Sequence, residues 1–425
     1  MTSGSRVWTC ALLLAVAPVS AHAQAMTWPE VRARLQAANP ALQAGRIGVD
    51  ESKATEITAF LRPNPNWSLG LDQVGNTSAG SLFSASTLVG GVSYLHERES
   101  KRELRRDSAE GATAVAAATT DDLQRTLLFT VRTAFIQVLQ AKAFRTLARD
   151  SLTSYDQVLS ISRDRFQAGD ISQVDLDRLE LQRVTYESDV QTAEVNLRTA
   201  KIQLLQFLND PTTPVDQFDV SGPFDFAPPM TPIDEMRRTA VDVRPDLRAA
   251  ARAVDKAQVD HRLAIANGSA DPTFTLDAAI PSISQAWQSF QPPLRQYIGV
   301  GISVPLRIFD RNQGEKRRTE LDITRTERVE DGVRLQVLAD VDTAYATLAS
   351  TVALLRPYKD QYLARATRVR DTSTFSYERG AVSLVDFLQA QQEYRAVQLS
   401  YVNLVAAFLN AANQLNAAVG VEVIP

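Results

Sequence analysis

The chain has 425 residues, with 45 Lys and Arg against 49 Asp and Glu, three His and a single Cys. This mildly acidic balance, with no basic stripe to neutralise phosphates, argues against a nucleic-acid partner. The lone Cys10 precedes an early apolar run, so it is badly placed to carry a lipid at a mature terminus, and no disulfide framework, thiolate metal site or thiol nucleophile follows it.

In chain order, Arg6, the apolar residues 11–17 and Ala21-His22-Ala23 before Gln24 predict a signal peptide over 1–23, with Ala25 as a second cleavage position. The apolar run is far shorter than the ~20 residues of a spanning helix, and no later stretch is expected to approach that length. A helical pattern follows from Trp28 to about Leu61, interrupted near Pro40 and stopped by Pro63 and Pro65. Trp67, Leu69 and Leu71 then alternate with Ser68, Gly70 and Asp72. With the turn-rich residues 75–80 and a second alternating run from Val89 to Leu95, they predict a β-hairpin over 66–95. From Glu97 to Phe166 the sequence is helical and free of proline, about 100 Å at ~1.5 Å per residue, too long for a compact domain.

A returning helix over 172–208 completes a helical hairpin spanning 97–208. Its Leu176, Leu179, Tyr186, Val190, Ala193, Leu197, Ala200, Leu204 and Leu208 recur at three- and four-residue steps, the seam of a coiled coil. Residues 211–232 form a proline-rich linker whose Phe218, Phe224 and Phe226 predict packing rather than a free tether. The pattern then repeats. A helix runs from Ile233 to about Ala266 with Pro245 where Pro40 stood, and a hairpin spans 272–306. There Phe274, Leu276, Ala278 and Ile280, then Ile298, Val300, Ile302 and Val304, alternate with small or polar residues across a loop holding Trp287, Phe290, Pro292 and Pro293. A helical hairpin spans 313–418, its outgoing helix carrying Pro357, which must kink it or displace its hydrogen bonds.

The repetition is literal in places. Val131-Arg132-Thr133-Ala134-Phe135 recurs as Val341-Asp342-Thr343-Ala344-Tyr345, and Asn39-Pro40-Ala41-Leu42 as Arg244-Pro245-Asp246-Leu247. The segment Phe166-Gln167-Ala168-Gly169-Asp170-Ile171-Ser172-Gln173-Val174-Asp175 recurs as Tyr377-Glu378-Arg379-Gly380-Ala381-Val382-Ser383-Leu384-Val385-Asp386. Near-constant spacing of these landmarks marks two structural units, 24–210 and 233–425, in a pseudo-symmetric protomer. The strands have the length and alternation to cross a bilayer in a closed barrel, although a half-buried sheet would alternate equally well. Helices too long to fold over such a sheet favour the barrel, and four strands cannot close one alone, so several chains must contribute.

Together, the signal peptide, the duplicated halves and the Phe/Tyr-x-x-Gly-x-x-Ser-x-x-Asp turns resemble the TolC family of bacterial outer-membrane efflux channels. The join Val304-Pro305-Leu306-Arg307-Ile308-Phe309-Asp310-Arg311-Asn312-Gln313-Gly314 and Arg62-Pro63-Asn64-Pro65 are most similar to the CzcC-like, heavy-metal branch. The chain departs from that pattern in lacking a lipid-bearing cysteine and in carrying Arg307 where a second proline is common. The resemblance implies a mainly α protomer with a small β part, three of which build a twelve-stranded barrel and a helical tunnel. It implies a passive duct from periplasm to exterior, a homotrimer seated in outer-membrane lipid and docked on a periplasmic adaptor and an inner-membrane RND-type pump. Cargo could be heavy-metal cations, with drug efflux or type I secretion as alternatives; a periplasmic coiled-coil scaffold without a pore is the rival of a different class.

The resemblance also points to acids just past the turns as the constriction, which places Asp175, Asp386 and, one helical step further, Gln389 at a candidate gate. Each acid fits equally a helix N-terminal charge stabilised by the macrodipole. Gly169 and Gly380 are expected in a left-handed conformation, and Ser172 and Ser383 as N-caps. Arg165 and Arg379 stand where an adaptor would grip, or else are solvated turn charges. No cofactor is expected. His96 and His261 lie far apart without ligand-spaced carboxylates, Gly299-Val300-Gly301 lies in a strand and not a phosphate loop, and no nucleophile elbow occurs, so catalysis is not expected.

Overall fold

A computed structural model describes residues 25–72, 87–226, 232–281 and 297–424; the expected signal peptide and the tips of both β-hairpins lie outside them. The first half opens with α1 (Trp28–Ala38) and α2 (Pro40–Ala59). Glu30 accepts the Thr27 amide at 2.7 Å, and Asn39 accepts the amides of Ala41 and Leu42 at 3.0 and 3.2 Å. Proline at the first position of α2 needs no amide there, so the break near Pro40 is a re-capped restart. Strands β1 (Asn66–Asp72) and β2 (Thr87–Leu95) precede α3 (Lys101–Gln167), which runs 67 residues to the turn before α4 (Gln173–Phe207).

The expected start of α3 at Glu97 is corrected to Lys101. Glu99 and Ser100 take φ values of 55° and 52°, a left-handed kink that no glycine signals, while Arg98 donates its amide to Asp271 at 2.9 Å. Every apolar seam residue predicted for α4, together with Leu208 beyond it, is buried, with Ala193 and Ala200 among them, while Arg183 on the same seam is half-buried and pairs with Asp156 at 2.6 Å.

The second half repeats this with α5 (Ile233–Val243), α6 (Pro245–Ala266), β3 (Thr273–Pro281), β4 (Tyr297–Ser303) and α7 (Gln313–Pro357). A π-helical turn (Tyr358–Tyr362) leads into α8 (Leu363–Glu378), and α9 (Leu384–Val419) returns. The duplication extends to the core. Val31, Leu35, Val131, Ala134 and Val138 fill one cluster, and Met236, Ala240, Val341, Ala344 and Leu348 fill the corresponding places in the other. Upstream of Pro357 the paired landmarks Val131/Val341 and Ala134/Ala344 keep one spacing. At the far turns Gly169/Gly380 and Asp175/Asp386 keep a spacing one residue longer. The π turn lies between the two sets and widens the helix by the one residue the second half has gained. Pro357 therefore displaces its hydrogen bonding locally instead of breaking the helix.

The four strands form one antiparallel sheet in the order β1-β2-β3-β4, with the halves joined at β2–β3. Register puts Trp67, Leu69, Val92, Leu276 and Val300 on one face and Ser68, Gly91, Asp277 and Gly299 on the other. Strands β1 and β4 are left as open edges. In the helical layer α4 packs on α3, α3 on α9, and α9 on α8. The linker lies across the middle of that layer. It pairs Val220 with Met26, buries Phe218, and sets Phe226 edge-on to Phe408 at 5.3 Å.

One sequence expectation needs correction. An 18-residue window of the helix Gln313–Glu378 reaches a mean hydropathy of 1.2, enough to pass for a membrane span by length and composition. Only 22% of that window is buried; Val337, Val341, Ala344 and Leu348 of the helix face the core, while Asp340 and Asp342 pair with Arg244 and Arg237 at 2.8 and 2.7 Å.

Candidate functional site

The two turns joining the outgoing and returning helices are built alike, bond for bond. Gly169 and Gly380 take φ values of 85° and 72°, which free the chain to reverse after the outgoing helix. The amide of Gly169 donates to Phe166 O at 3.0 Å and that of Gly380 to Tyr377 O at 2.9 Å. Next, Ser172 Oγ accepts the Asp175 amide at 3.1 Å and donates to Asp175 Oδ2 at 2.8 Å. Ser383 treats Asp386 identically, at 3.2 and 2.8 Å. Both carboxylates thus serve as first-turn acids of their helices, where the macrodipole favours them. Asp386 is exposed and Asp175 half-buried; Gln389, one step along α9, is exposed and donates to Glu393 at 2.9 Å.

Beneath the turns lies a core of aromatic pairs. Tyr377 stacks on the fully buried Phe387 with centroids 4.7 Å apart, and Tyr155 stacks on Tyr186 at 4.7 Å. Burial pushes the Tyr155 phenol up from its ordinary value, and its hydroxyl donates to Leu179 O at 3.0 Å. Tyr186 is likewise raised by burial, opposed by the Arg395 guanidinium lying 5.4 Å over its ring.

Two arginines tie the halves of one protomer together near this end, and neither link is visible in the sequence. Arg165, in the first-half turn, donates from Nη1 to Tyr377 O in the second-half turn at 2.7 Å, its guanidinium 5.3 Å from the Tyr377 ring centroid. It is half-buried between the turns. Arg395 of α9 bonds Asp189 of α4. Arg379 lies outward, its guanidinium 3.5 Å from the Phe375 ring centroid. No periodicity signals contacts between residues two hundred positions apart; only a basic residue beside a turn could have drawn attention to Arg165.

At the opposite end, the sheet has an exposed apolar face and a face of small and polar side chains. Gly91 leaves room there for Asp277: a Cβ would fall 2.0 Å from Asp277 Oδ1, so the carboxylate would have to turn aside. The two histidines serve locally. His96 lies edge-on to Phe274 at 6.4 Å, and His261 Nδ1 shares a hydrogen bond with Thr319 Oγ1 at 2.9 Å. Among the described residues no group of three or more His, Cys, Asp or Glu could hold a metal.

Comparison with known proteins agrees with this architecture. The family described as outer membrane efflux protein matches residues 237–421. The chain is 22% identical to the cobalt-zinc-cadmium resistance protein CzcC of Cupriavidus metallidurans, over 89% of this chain and 86% of that protein. It is 24% identical to the pyoverdine export outer membrane protein OpmQ of Pseudomonas aeruginosa, over 82% of this chain and 71% of that protein. Its fold is that of the outer-membrane channel OprN, with a TM-score of 0.76 at 14% identity over 94% of this chain and 91% of that one. The MtrE channel of Neisseria gonorrhoeae in its open state gives 0.75 at 16% identity over 93% and 89%. The second half thus matches the outer membrane efflux protein family, and the fold over the described chain is that of TolC-like outer-membrane efflux channels.

Proposed function

We propose that the protein is one third of a closed exit duct, a homotrimer that receives cargo from a periplasmic adaptor and an inner-membrane pump of the RND type. The observation that carries this reading is that both flanks of the protomer are unfinished in complementary ways. In the sheet these are the open edges of β1 and β4. In the helical layer, α4 exposes Val174, Leu181, Val195 and Ile202, spaced by sevens or multiples of seven. This is a second seam, distinct from the one packed on α3. The far flank exposes Leu354, Tyr362, Val369 and Phe375. Two unlike flanks that match one another make a head-to-tail interface, which closes into a ring when its rotation is a whole fraction of a turn. Twelve strands then leave no edge facing lipid. Detergent-extracted protein is expected at three times the chain mass, and Leu181→Asp with Val195→Asp is expected to dissociate it; a monomeric wild type overturns the reading.

The similarity to CzcC supports heavy-metal cations as cargo, and the similarity to OpmQ supports an organic metal chelator as the second reading. A conduit should not retain what it passes, so metal export would need no ligand cluster in this chain. Loss of the gene should sensitise cells to cobalt, zinc or cadmium under the first reading and not under the second. In the trimer, Asp386 with Gln389, and less so Asp175, would ring the periplasmic constriction, and the turns bearing Gly169, Ser172, Arg379, Gly380 and Ser383 would meet the adaptor. Asp386→Asn is expected to change single-channel conductance and weaken divalent block more than Asp175→Asn, with Asp170→Asn as the silent control. Equal conductance and block in all three would leave Asp386 a helix-capping acid alone.

A further inference from the structure

Between β4 and α7 the chain presents Leu306, Ile308 and Phe309 to the outside, with 79%, 59% and 90% of their surfaces exposed. This is not a loose loop. Ile308 donates to Leu306 O at 2.9 Å, Gln313 to Phe309 O at 3.1 Å, and Arg311 Nε to Arg307 O at 3.2 Å. Asn312 anchors the turn to α6 through Ala264 O at 2.8 Å. These bonds give the join a defined shape in which the apolar side chains are held outward. The duplicated join in the first half does the opposite. There His96, Glu97, Arg98 and Glu99 link β2 to α3, with Arg98 bonded to Asp271 and Ala270 O and Glu97 paired to Arg105. Folding this join therefore needs no exposed apolar cluster, and the second half has added one.

What covers it follows from continuity. Ile298, Val300, Ile302 and Val304 form the exposed apolar row of β4, and Leu306 and Ile308 continue that even-numbered row past the strand end. From Ile298 to Leu306 the row spans at most about 26 Å at ~3.3 Å per residue, against about 25 Å for the apolar band of an outer-membrane barrel. The cluster falls at the helix-bearing, periplasmic border of that band, where aromatic side chains gather. Charge fits the same place: residues 304–318 hold five Lys and Arg against two acids. Arg307 is only loosely paired, 3.9 Å from Asp310, and Arg311 enters no ion pair among the described residues.

We infer that Leu306, Ile308 and Phe309 insert into the periplasmic leaflet of the outer membrane, and that Arg307 and Arg311 bind the headgroups of its anionic phospholipids. The inference rests on the membrane seat of the strands, so its test carries a marker for that seat. In full-length Cys10→Ser protein, single cysteines replacing Phe309, Val300 or the exposed turn residue Asp170 are labelled with bimane and the protein is reconstituted in phosphatidylethanolamine–phosphatidylglycerol vesicles. Label at 309 is expected to be quenched by nitroxide carried near the headgroup end of the acyl chain and shielded from aqueous iodide. Label at 300 should answer to deep nitroxide, and label at 170 to iodide alone. With shallow nitroxide on phosphatidylglycerol, quenching at 309 should exceed that with the same nitroxide on phosphatidylcholine. Arg307→Gln with Arg311→Gln should remove the difference, about fivefold in local lipid enrichment per cation. Free access of iodide to 309, or shielding from iodide without lipid quenching, as a neighbouring copy would give, overturns the insertion. Equal quenching by the two lipids with both arginines present overturns the anionic recognition. If label at 300 also fails to meet lipid, the membrane reading itself is wrong.

Discussion

Arg165 offers the sharpest test of how the tip is held. Arg165→Gln removes a charge-assisted hydrogen bond to Tyr377 O and a cation–π contact with the Tyr377 ring, both between the two turns of one protomer. The carbonyl is not orphaned by the change, because the Gly380 amide also donates to it at 2.9 Å. The loss is therefore the net worth of the contacts: about 1–1.5 kcal/mol for the half-buried hydrogen bond and about 0.5–1 kcal/mol for the cation–π term. A total near 2 kcal/mol per protomer is roughly a 30-fold change in any equilibrium that separates the turns. In planar bilayers the variant is expected to show a correspondingly greater occupancy of higher-conductance states. Arg163→Gln is the control, since Arg163 pairs with Glu180 at 2.9 Å inside the first hairpin and cannot restrain one hairpin against the other. State occupancies within about twofold of wild type would refute the reasoning, placing the hinge of opening elsewhere or the link intact in both states.

Three further outcomes are expected. Val300→Arg puts a charge on the exposed strand face and should cost about 2–4 kcal/mol near the bilayer midplane, read as loss of membrane-assembled trimer; equal damage from Ser303→Arg on the opposite face would contradict the assignment. The hydrogen bond from Thr213, aided by Thr212, holds the buried Asp210 carboxyl below its ordinary range, and Arg34 pairs with it. Its contribution is therefore complete above the unfolded value of about 3.9 and lost as pH falls below it, so Asp210→Asn should destabilise at pH 7 and converge on wild type in acid urea titrations. Deleting Asp360 should turn the π turn into regular helix and leave the tip in register, whereas deleting Ala346 should rotate every downstream face by about 100° and abolish assembly.

What the sequence disclosed was whatever repeats at short range. The seam from Leu176 to Leu208, the left-handed Gly169 and Gly380, the caps Ser172 and Ser383 and the alternation of β4 all follow from spacing or from one residue's backbone freedom. Pro357 announced a disturbance without its kind. The start of α3 was misplaced because Glu99 and Ser100 take left-handed angles that their types rarely adopt. The apolar window in Gln313–Glu378 carries Asp340 and Asp342, whose place in the helical layer depends on pairing with Arg244 and Arg237 far away in the chain. At the candidate site, the residues were legible as a repeated motif and their connections were not. Arg165 and Arg395 bridge halves whose proximity is a product of the completed fold.

Where the halves agree, the agreement is in core and turns, and any departure there would misplace a helix of the ring. Where they differ, the structure confines the difference. The extra residue of the second half is absorbed in one π turn, which the linker covers through Lys359–Asp225 at 2.8 Å and Phe226. Beyond it Asp175 and Asp386 again occupy equivalent places. A ring of pseudo-equivalent hairpins can close evenly only if both tips of each protomer reach the same height and face. The π turn is therefore better understood as the correction that keeps the second tip in step than as a point of weakness. The join at 304–312 is under no such constraint, since it lies outside the helical layer, and there the two halves differ in chemistry, apolar and exposed in the second and charged in the first.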